Sequence, residues 1–371
     1  MSNKIIIGID ASRSNVKQKT GTEYYSQEII KHLVKNKDVN FRLYSKTSLG
    51  FLKKEQNIEF KVMPFPKLWS QIRLSLELLT NRPDVLFEPA HTIPVIHGRK
   101  VVTTLHDVGF RYFPDLYTPL ERFYHNWSMR FAVRHATKII TISESTKKDL
   151  VKFYSADPEK IEIIYHGYDE EKFYPKRQSQ KAPEEIQKLG EYIYFIGRLE
   201  AKKNIVSLVK AFGILRKKHP ELRTKLVLAG RPGYLYENIK TEIRKLDENI
   251  QQDVVEPGYI PDEIMSEYLR FARVFAFPSK FEGFGMPLAE AMACNVPIVA
   301  SNTTSIPEIT GDAALLHNVE DENQIAEFLY TALTDESTRK RLIASGTKRL
   351  PMFDWEKAAS KTLDVVKSTL R

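Results

Sequence analysis

A single cysteine, Cys294, stands in 371 residues. That excludes an internal disulfide framework and fits a reducing compartment, so a cytoplasmic location is expected. Long apolar runs are missing as well. Nothing approaches the ~20 residues that cross a bilayer, and MSNKIIIGID runs straight into strand-like sequence, so no signal peptide is expected. The chain contains no Walker A sequence, no G-x-S-x-G and no metal-spaced Cys/His set. The loop after the first strand lacks G-x-G-x-x-G. P-loop phosphate binding, nucleophile-elbow hydrolysis, a structural zinc site and a dinucleotide fingerprint are therefore not indicated. Low-complexity segments and short-period repeats are absent too.

What is there is a globular composition, 42% hydrophobic and 28% charged, long enough for two domains. The net charge of +9 is uneven. Residues 1–175 hold 27 Lys and Arg against 20 Asp and Glu, whereas residues 176–371 hold 29 against 27. A basic first half points to an anionic partner such as a membrane surface or a phosphorylated acceptor; nucleic acid is the competing reading and plain solubility the bland one.

The order of elements reads as α/β. Apolar runs at 4–9, 41–44, 59–63, 85–88, 101–105, 139–142 and 161–164 predict strands, and helical patterns at 23–33, 68–79, 115–138 and 145–153 separate them. Prolines and mixed charge over 173–190 predict a linker. A second alternation follows, with strands at 192–196, 225–228, 254–255 and 273–278 and helices at 206–217, 239–246 and 264–271. Two such alternations imply two doubly wound domains, 1–175 and 190–352, facing each other across a cleft, with a last helix from Trp355 in 353–371.

The densest chemistry lies in Phe277–Leu316, FPSKFEGFGMPLAEAMACNVPIVASNTTSIPEITGDAALL. Gly283 and Gly285 let backbone pass close to a bulky group, and Pro287 suits a first helical turn. The helix start behind them offers free N–H groups to a phosphate, and Glu290 can accept hydrogen bonds from hydroxyls of the same ligand. Glu282 stands eight residues before Glu290, across the loop. In the second domain the first strand ends in GRLEAKKN, where Arg198 after Gly197 and Lys203 five on can converge on one anion, the arginine as a fork and the lysine as a point charge. Gly230 ends the next strand, and Gly258-Tyr259-Ile260 follows another, where backbone groups can meet a nucleobase. The set suits a nucleoside diphosphate. In the first domain a glycine loop holds Gly21 and Thr22, and the strand 101–105 ends in His106-Asp107, a polar pair placed to face the ligand crevice of an open sheet. Ser143 caps the helix that follows the next strand. Asp107 and Ser143 are assigned to the second substrate.

These residues carry a resemblance. FEGFGMPLAEAMACNVPIVAS with its Glu-x7-Glu pair, GRLEAKKN against G-R-L-x-x-x-K, and LHD resemble the retaining glycosyltransferases of family four, over most of the chain. HGYD stands where N-G-V-D is commoner. The resemblance implies the GT-B fold, with the last helix crossing back to the first domain. It implies that Glu290 binds the donor ribose, that Glu282 contacts the transferred sugar, and that Gly283, Phe284, Gly285 and Met286 present amides to sugar and phosphate. Arg198 and Lys203 would stabilise the leaving diphosphate in place of a metal; no Asp-x-Asp metal arrangement is present, and no cofactor is expected. His106 would contact the donor sugar, and Gly21 and Thr22 would line the phosphates or the acceptor. HDVGFRYFPDLYTPLERFY and TISESTKKDL are most similar to mannosyltransferases that use GDP-mannose to build surface polysaccharides. The expected partners are a nucleotide sugar and a glycan or lipid-linked acceptor at the inner membrane face. Other donors (UDP-glucose, UDP-N-acetylglucosamine, dTDP-rhamnose), a GT-B phosphorylase, a sugar-nucleotide epimerase and a basic binding module stay open.

Overall fold

Short apolar runs between turn residues form two parallel sheets. The structure, a computed structural model, describes residues 4–16 and 20–370. The chain divides into two units, Met1–Gly167 with Phe353–Arg371, and Tyr168–Met352.

The first unit holds β1 (Ile6–Asp10), β2 (Asn40–Ser45), β3 (Ile58–Val62), β4 (Val85–Glu88), β5 (Val101–Leu105), β6 (Lys138–Thr141) and β7 (Ile161–Ile163). Their order across the sheet is β3-β2-β1-β4-β5-β6-β7, with parallel pairing at each step. Successive side chains on a strand point to opposite faces. Phe87, Val102 and Ile140 accordingly join one core, whereas their neighbours Leu86, Val101 and Ile139 join another. The first core is closed by the helix Gly21–Leu33 and by the helix Trp355–Ser368, whose Trp355, Ala359 and Leu363 pack with Tyr25 and Ile29. Gly167 allows this closure, since a Cβ there would lie 2.4 Å from the Trp355 amide nitrogen.

The second unit holds β8 (Tyr192–Ile196), β9 (Lys225–Ala229), β10 (Val254–Gly258), β11 (Val274–Phe277), β12 (Ile298–Ser301) and β13 (Ala314–His317), in the order β10-β9-β8-β11-β12-β13, again parallel. Ile193, Phe195, Leu226 and Leu228 face a core completed by the helices Ile205–Lys218 and Glu322–Thr334. In both sheets the strand order reverses, beside β1 and beside β8. The carboxyl ends of β1 and β4, and of β8 and β11, therefore flank the crevice where an open sheet takes its ligand.

Three local readings change. The stretch 173–190 folds with the second unit: Phe173 is buried, and the buried Arg270 donates to the carbonyls of Lys172 and Tyr174. The helix expected over 115–138 begins at Pro119 and ends at His135, because Thr118 caps it and Pro114–Leu116 makes a separate 3-10 turn. The helix expected over 68–79 runs as a π-turn, Ser70–Leu74, into an α-helix, Ser75–Thr80.

Candidate active site

At the carboxyl edge of the second sheet three strand-end glycines are knitted together. The Gly197 amide donates to Ala229 O (3.0 Å), and the Gly230 amide to Gly258 O (2.8 Å). Gly230 has φ +146°, and a Cβ there would sit 1.7 Å from Gly197 O. Only glycine lets these loops pass so closely. Arg198 leaves this knot with its side chain two-thirds exposed and its Nε 3.6 Å from Glu200. Lys203, at the end of the 3-10 turn Ala201–Lys203, turns inward: its Nζ lies 2.5 Å from Glu282 Oε1 and 5.6 Å from the Phe277 ring centre. The two cations thus have different acidic partners, Glu200 for Arg198 and Glu282 for Lys203.

The loop carrying Glu282 is held from below by hydroxyls of the segment SNTTS that follows β12. Ser301 and Thr303 both donate to Ser279 O, and Thr304 Oγ1 accepts from the Glu282 amide (3.1 Å). Ser305 donates to both Glu282 O and Phe284 O, each at 3.0 Å. Gly285 then turns left-handed, φ +91°, and caps the helix Met286–Ala293. Glu290 falls in the second turn of that helix. Burial pushes its carboxyl up to about 7; Lys172 opposes the shift, and Asp262 and Asp169 add to it. Tyr259 projects from the end of β10, more than half exposed, with the Arg231 guanidinium 4.5 Å above its ring, while Ile260 is buried. The supporting hydroxyls of 301–305 escaped the sequence reading; their signal was a run of four Ser and Thr residues at a strand's carboxyl end.

In the first unit, Gly21 and Thr22 open the helix Gly21–Leu33 rather than a loop before it. The Glu23 carboxylate accepts from the Thr20 amide and hydroxyl and pairs with Arg13. His106 follows β5 and is buried. Its Nε2 lies 2.7 Å from Pro89 O, so that nitrogen carries the proton of a neutral ring and Nδ1 is left as an acceptor. Burial lowers its pKa, against the Pro89 carbonyl, Asp107 and Glu23. Around it stand Tyr25 edge-on at 4.7 Å and His91 at 4.8 Å, and His91 Nδ1 accepts the His106 amide at 3.3 Å. Asp107 Oδ1 accepts from the Gly109 amide at 2.7 Å. Ser143 is fully buried, and its hydroxyl accepts from the Thr146 amide as the N-cap of the helix Glu144–Tyr154. Asp10 and Glu88, ending the neighbouring strands β1 and β4, form a further pair. Glu88 is buried, and burial together with Asp10 holds its carboxyl well above the usual range, while Asp10 accepts from Ser70 at 2.9 Å.

Two family models match in tandem: "Glycosyltransferase Family 4" over residues 19–172 and "Glycosyl transferases group 1" over residues 176–349, which together span most of the chain. The chain belongs to the family 4 glycosyltransferases. It is 29% identical over 276 residues to O-antigen chain mannosyltransferase B of Escherichia coli, covering 72% of this chain and 70% of the relative. It is 27% identical over 329 residues to a diphospho-undecaprenol 4-alpha-N-acetylgalactosaminyltransferase of Campylobacter jejuni, covering 88% and 85%. The sucrose-phosphate synthase of Thermosynechococcus elongatus superposes on this glycosyltransferase with a TM-score of 0.75 at 17% identity, covering 99% of each chain, and shares its GT-B fold. Among the described residues of this glycosyltransferase, no helix is long and apolar enough to cross a membrane.

Proposed function

We propose that this glycosyltransferase moves mannose from GDP-mannose, with retention, onto a glycan or lipid-linked acceptor in surface-polysaccharide synthesis at the inner membrane face. The observation that carries the reading is the Glu282 loop: Glu282 paired with Lys203, and Glu290 in the helix that follows, on a backbone fixed by four hydroxyls. Glu290 accepts from the ribose hydroxyls and Glu282 from those of the transferred sugar. The amides of Gly283 to Met286, Arg198 and Lys203 carry the diphosphate charge without a metal, as preorganised donors do where charge develops. Lys203 turns from Glu282 to a phosphate oxygen when the donor is present. The acceptor hydroxyl attacks the anomeric carbon on the face from which the diphosphate departs. The new C–O bond forms as the old one breaks, and the acceptor proton passes to the departing phosphate oxygen. His106, neutral and fixed by Pro89, contacts the donor sugar, with Gly21 and Thr22 beside the phosphates or acceptor and Asp107 on the acceptor.

The choice of mannose is supported by the relation to an O-antigen chain mannosyltransferase. The test is a panel of GDP-mannose, UDP-glucose, UDP-N-acetylglucosamine and dTDP-rhamnose, read by donor hydrolysis and transfer to membrane-extracted acceptor. Turnover of GDP-mannose with an α-linked product is expected; turnover of another donor alone would overturn the donor assignment.

A further inference from the structure

The carboxyl ends of β1 and β4 bring two acids together. Ile9 and Phe87 are in register across the pair, so the next residues, Asp10 and Glu88, stand side by side. Ile9 and Phe87 face the core that Trp355 helps to close. Asp10 and Glu88 therefore point to the opposite face, beneath the π-turn Ser70–Leu74. Both are buried, Glu88 with 1% of its surface exposed and Asp10 with 5%. Asp10 already accepts on both oxygens, Oδ1 from the Ser12 amide at 2.8 Å and Oδ2 from the Ser70 hydroxyl at 2.9 Å. The Glu88 carboxyl is hydrogen-bonded to Asp10, and its Oε1 accepts from no donor among the described residues. An ionised carboxylate only accepts, so a hydrogen bond between two carboxyl groups needs a proton on one of them. Asp10 takes two donors and Glu88 Oε1 none, which places that proton on Glu88.

No cation answers a second negative charge here. Tyr44 stands beside Asp10 on β2, Thr103 beside Glu88 on β5, and Ser70 against Asp10. Among the described residues, Asp10 is the titratable group whose charge acts on Glu88. His91 and His106, past Pro89, are kept neutral by burial. Glu88 also begins the segment that fixes His106. Thr103 Oγ1 donates to Glu88 O at 3.1 Å, the His91 amide to Thr104 O at 3.2 Å, and His106 Nε2 to Pro89 O at 2.7 Å. On the β1 side the same segment is tied through the Glu88 carboxyl. Loss of the proton would set two buried negative charges in contact and push Glu88 and Pro89 away from β1.

We infer that Asp10 and Glu88 hold one proton between them, and that this proton positions His106 by way of Pro89. The inference rests on the reading that puts His106 against the donor sugar. The proton and the ring are observable without donor, so the two fail separately. Such a positioning pair gives the transfer an alkaline limit. As pH rises the proton leaves to solvent, the pair goes from one negative charge to two, and activity falls.

The test follows the full chain, without donor, by infrared spectroscopy at rising pH. A protonated-carboxyl band that Glu88→Gln removes is expected. Glu290 also holds a proton near pH 7, so the difference against Glu88→Gln assigns the band. Asp10→Asn should move the loss of the band to lower pH, because the neighbouring like charge is gone. Ring-nitrogen NMR should show His106 protonated at Nε2, with the signal shifting as the band disappears. In turnover, Glu88→Ala should lower kcat by up to about a hundredfold and change the donor KM far less. Glu88→Gln, whose amide can donate to Asp10 in the proton's place, should restore most of kcat and abolish the alkaline fall. Glu88→Gln and Asp10→Asn keep the side-chain shapes, so the test stands even where Glu88→Ala fails to fold. No band assignable to Glu88, an alkaline fall that Glu88→Gln leaves unchanged, or a His106 ring that does not respond when the band is lost would each overturn the inference.

Discussion

Glu290→Gln separates what the carboxylate does for the donor from what it does to the fold. The Glu290 carboxyl has an ordinary value of 4.5 and is pushed up to about 7 in the folded, donor-free protein. A group that binds its proton more tightly when folded makes stability fall as pH rises between the two values. Below about 4.5 the proton is bound in both states and the effect vanishes; above about 7 the full difference applies. The shift corresponds to about 3 kcal/mol against the folded state at pH 8, an order-of-magnitude figure. Glutamine keeps the shape and removes the ionisation. Glu290→Gln should therefore unfold at a higher denaturant concentration than the parent at pH 8 and close to the parent's at pH 5, measured by urea titration without donor. Ribose hydroxyls donating to the carboxylate favour its charged form, so donor binding by the parent should release a proton near pH 7. Calorimetry in buffers of different ionisation enthalpy reads this directly. The variant should lose both proton release and most affinity. An equal stability difference at pH 5 and pH 8 would refute the electrostatic argument. Proton release retained by the variant would refute the assignment to Glu290.

Gly230→Ala should cost more than about 3 kcal/mol, since it combines a strained φ with a Cβ 1.7 Å from Gly197 O, and denaturant unfolding checks it. Lys203→Ala and Glu282→Gln should each lower kcat/KM by about a hundredfold, and the double variant should lose far less than the product, because either change leaves a partly buried charge uncompensated. Gly167→Ala should release the helix Trp355–Ser368, seen as faster proteolysis after Met352 and a red-shifted Trp355 emission. Activity should be unchanged by a divalent-metal chelator; its loss, with rescue by one metal, would remove the role given to Arg198 and Lys203.

Much of this architecture could be read from residues alone. Val101–Leu105 and Tyr192–Ile196 are strands with the predicted bounds, because strands buried on both faces of a parallel sheet are short runs of β-branched, aromatic and apolar residues. The Glu282–Glu290 stretch was equally legible, since its glycines, proline and small-residue helix are local signals. What depended on distant partners was not. The segment 173–190 looked like a linker because its anchor, Arg270, lies more than 90 residues away. The hold of Ser305 on the Glu282 loop needs β12 beside β11, a register that only the folded sheet fixes. The pairing of Lys203 with Glu282 was not legible either, since it arises from loops after neighbouring strands, 79 residues apart. The N-cap Ser143, by contrast, was legible, because capping the helix Glu144–Tyr154 is a local signal.

The first unit is built from both ends of the chain, with the second inserted between Gly167 and Phe353. During synthesis the side of the sheet lined by Tyr25 and Ile29 leaves the ribosome long before Trp355 and Leu363 exist to seal it. At about 5–20 residues per second the wait is roughly 10–40 s. The second unit, continuous in sequence, can finish its core within that interval. The order of maturation should therefore run opposite to the order of emergence, and the nascent first unit carries an open apolar seam that chaperones can recognise.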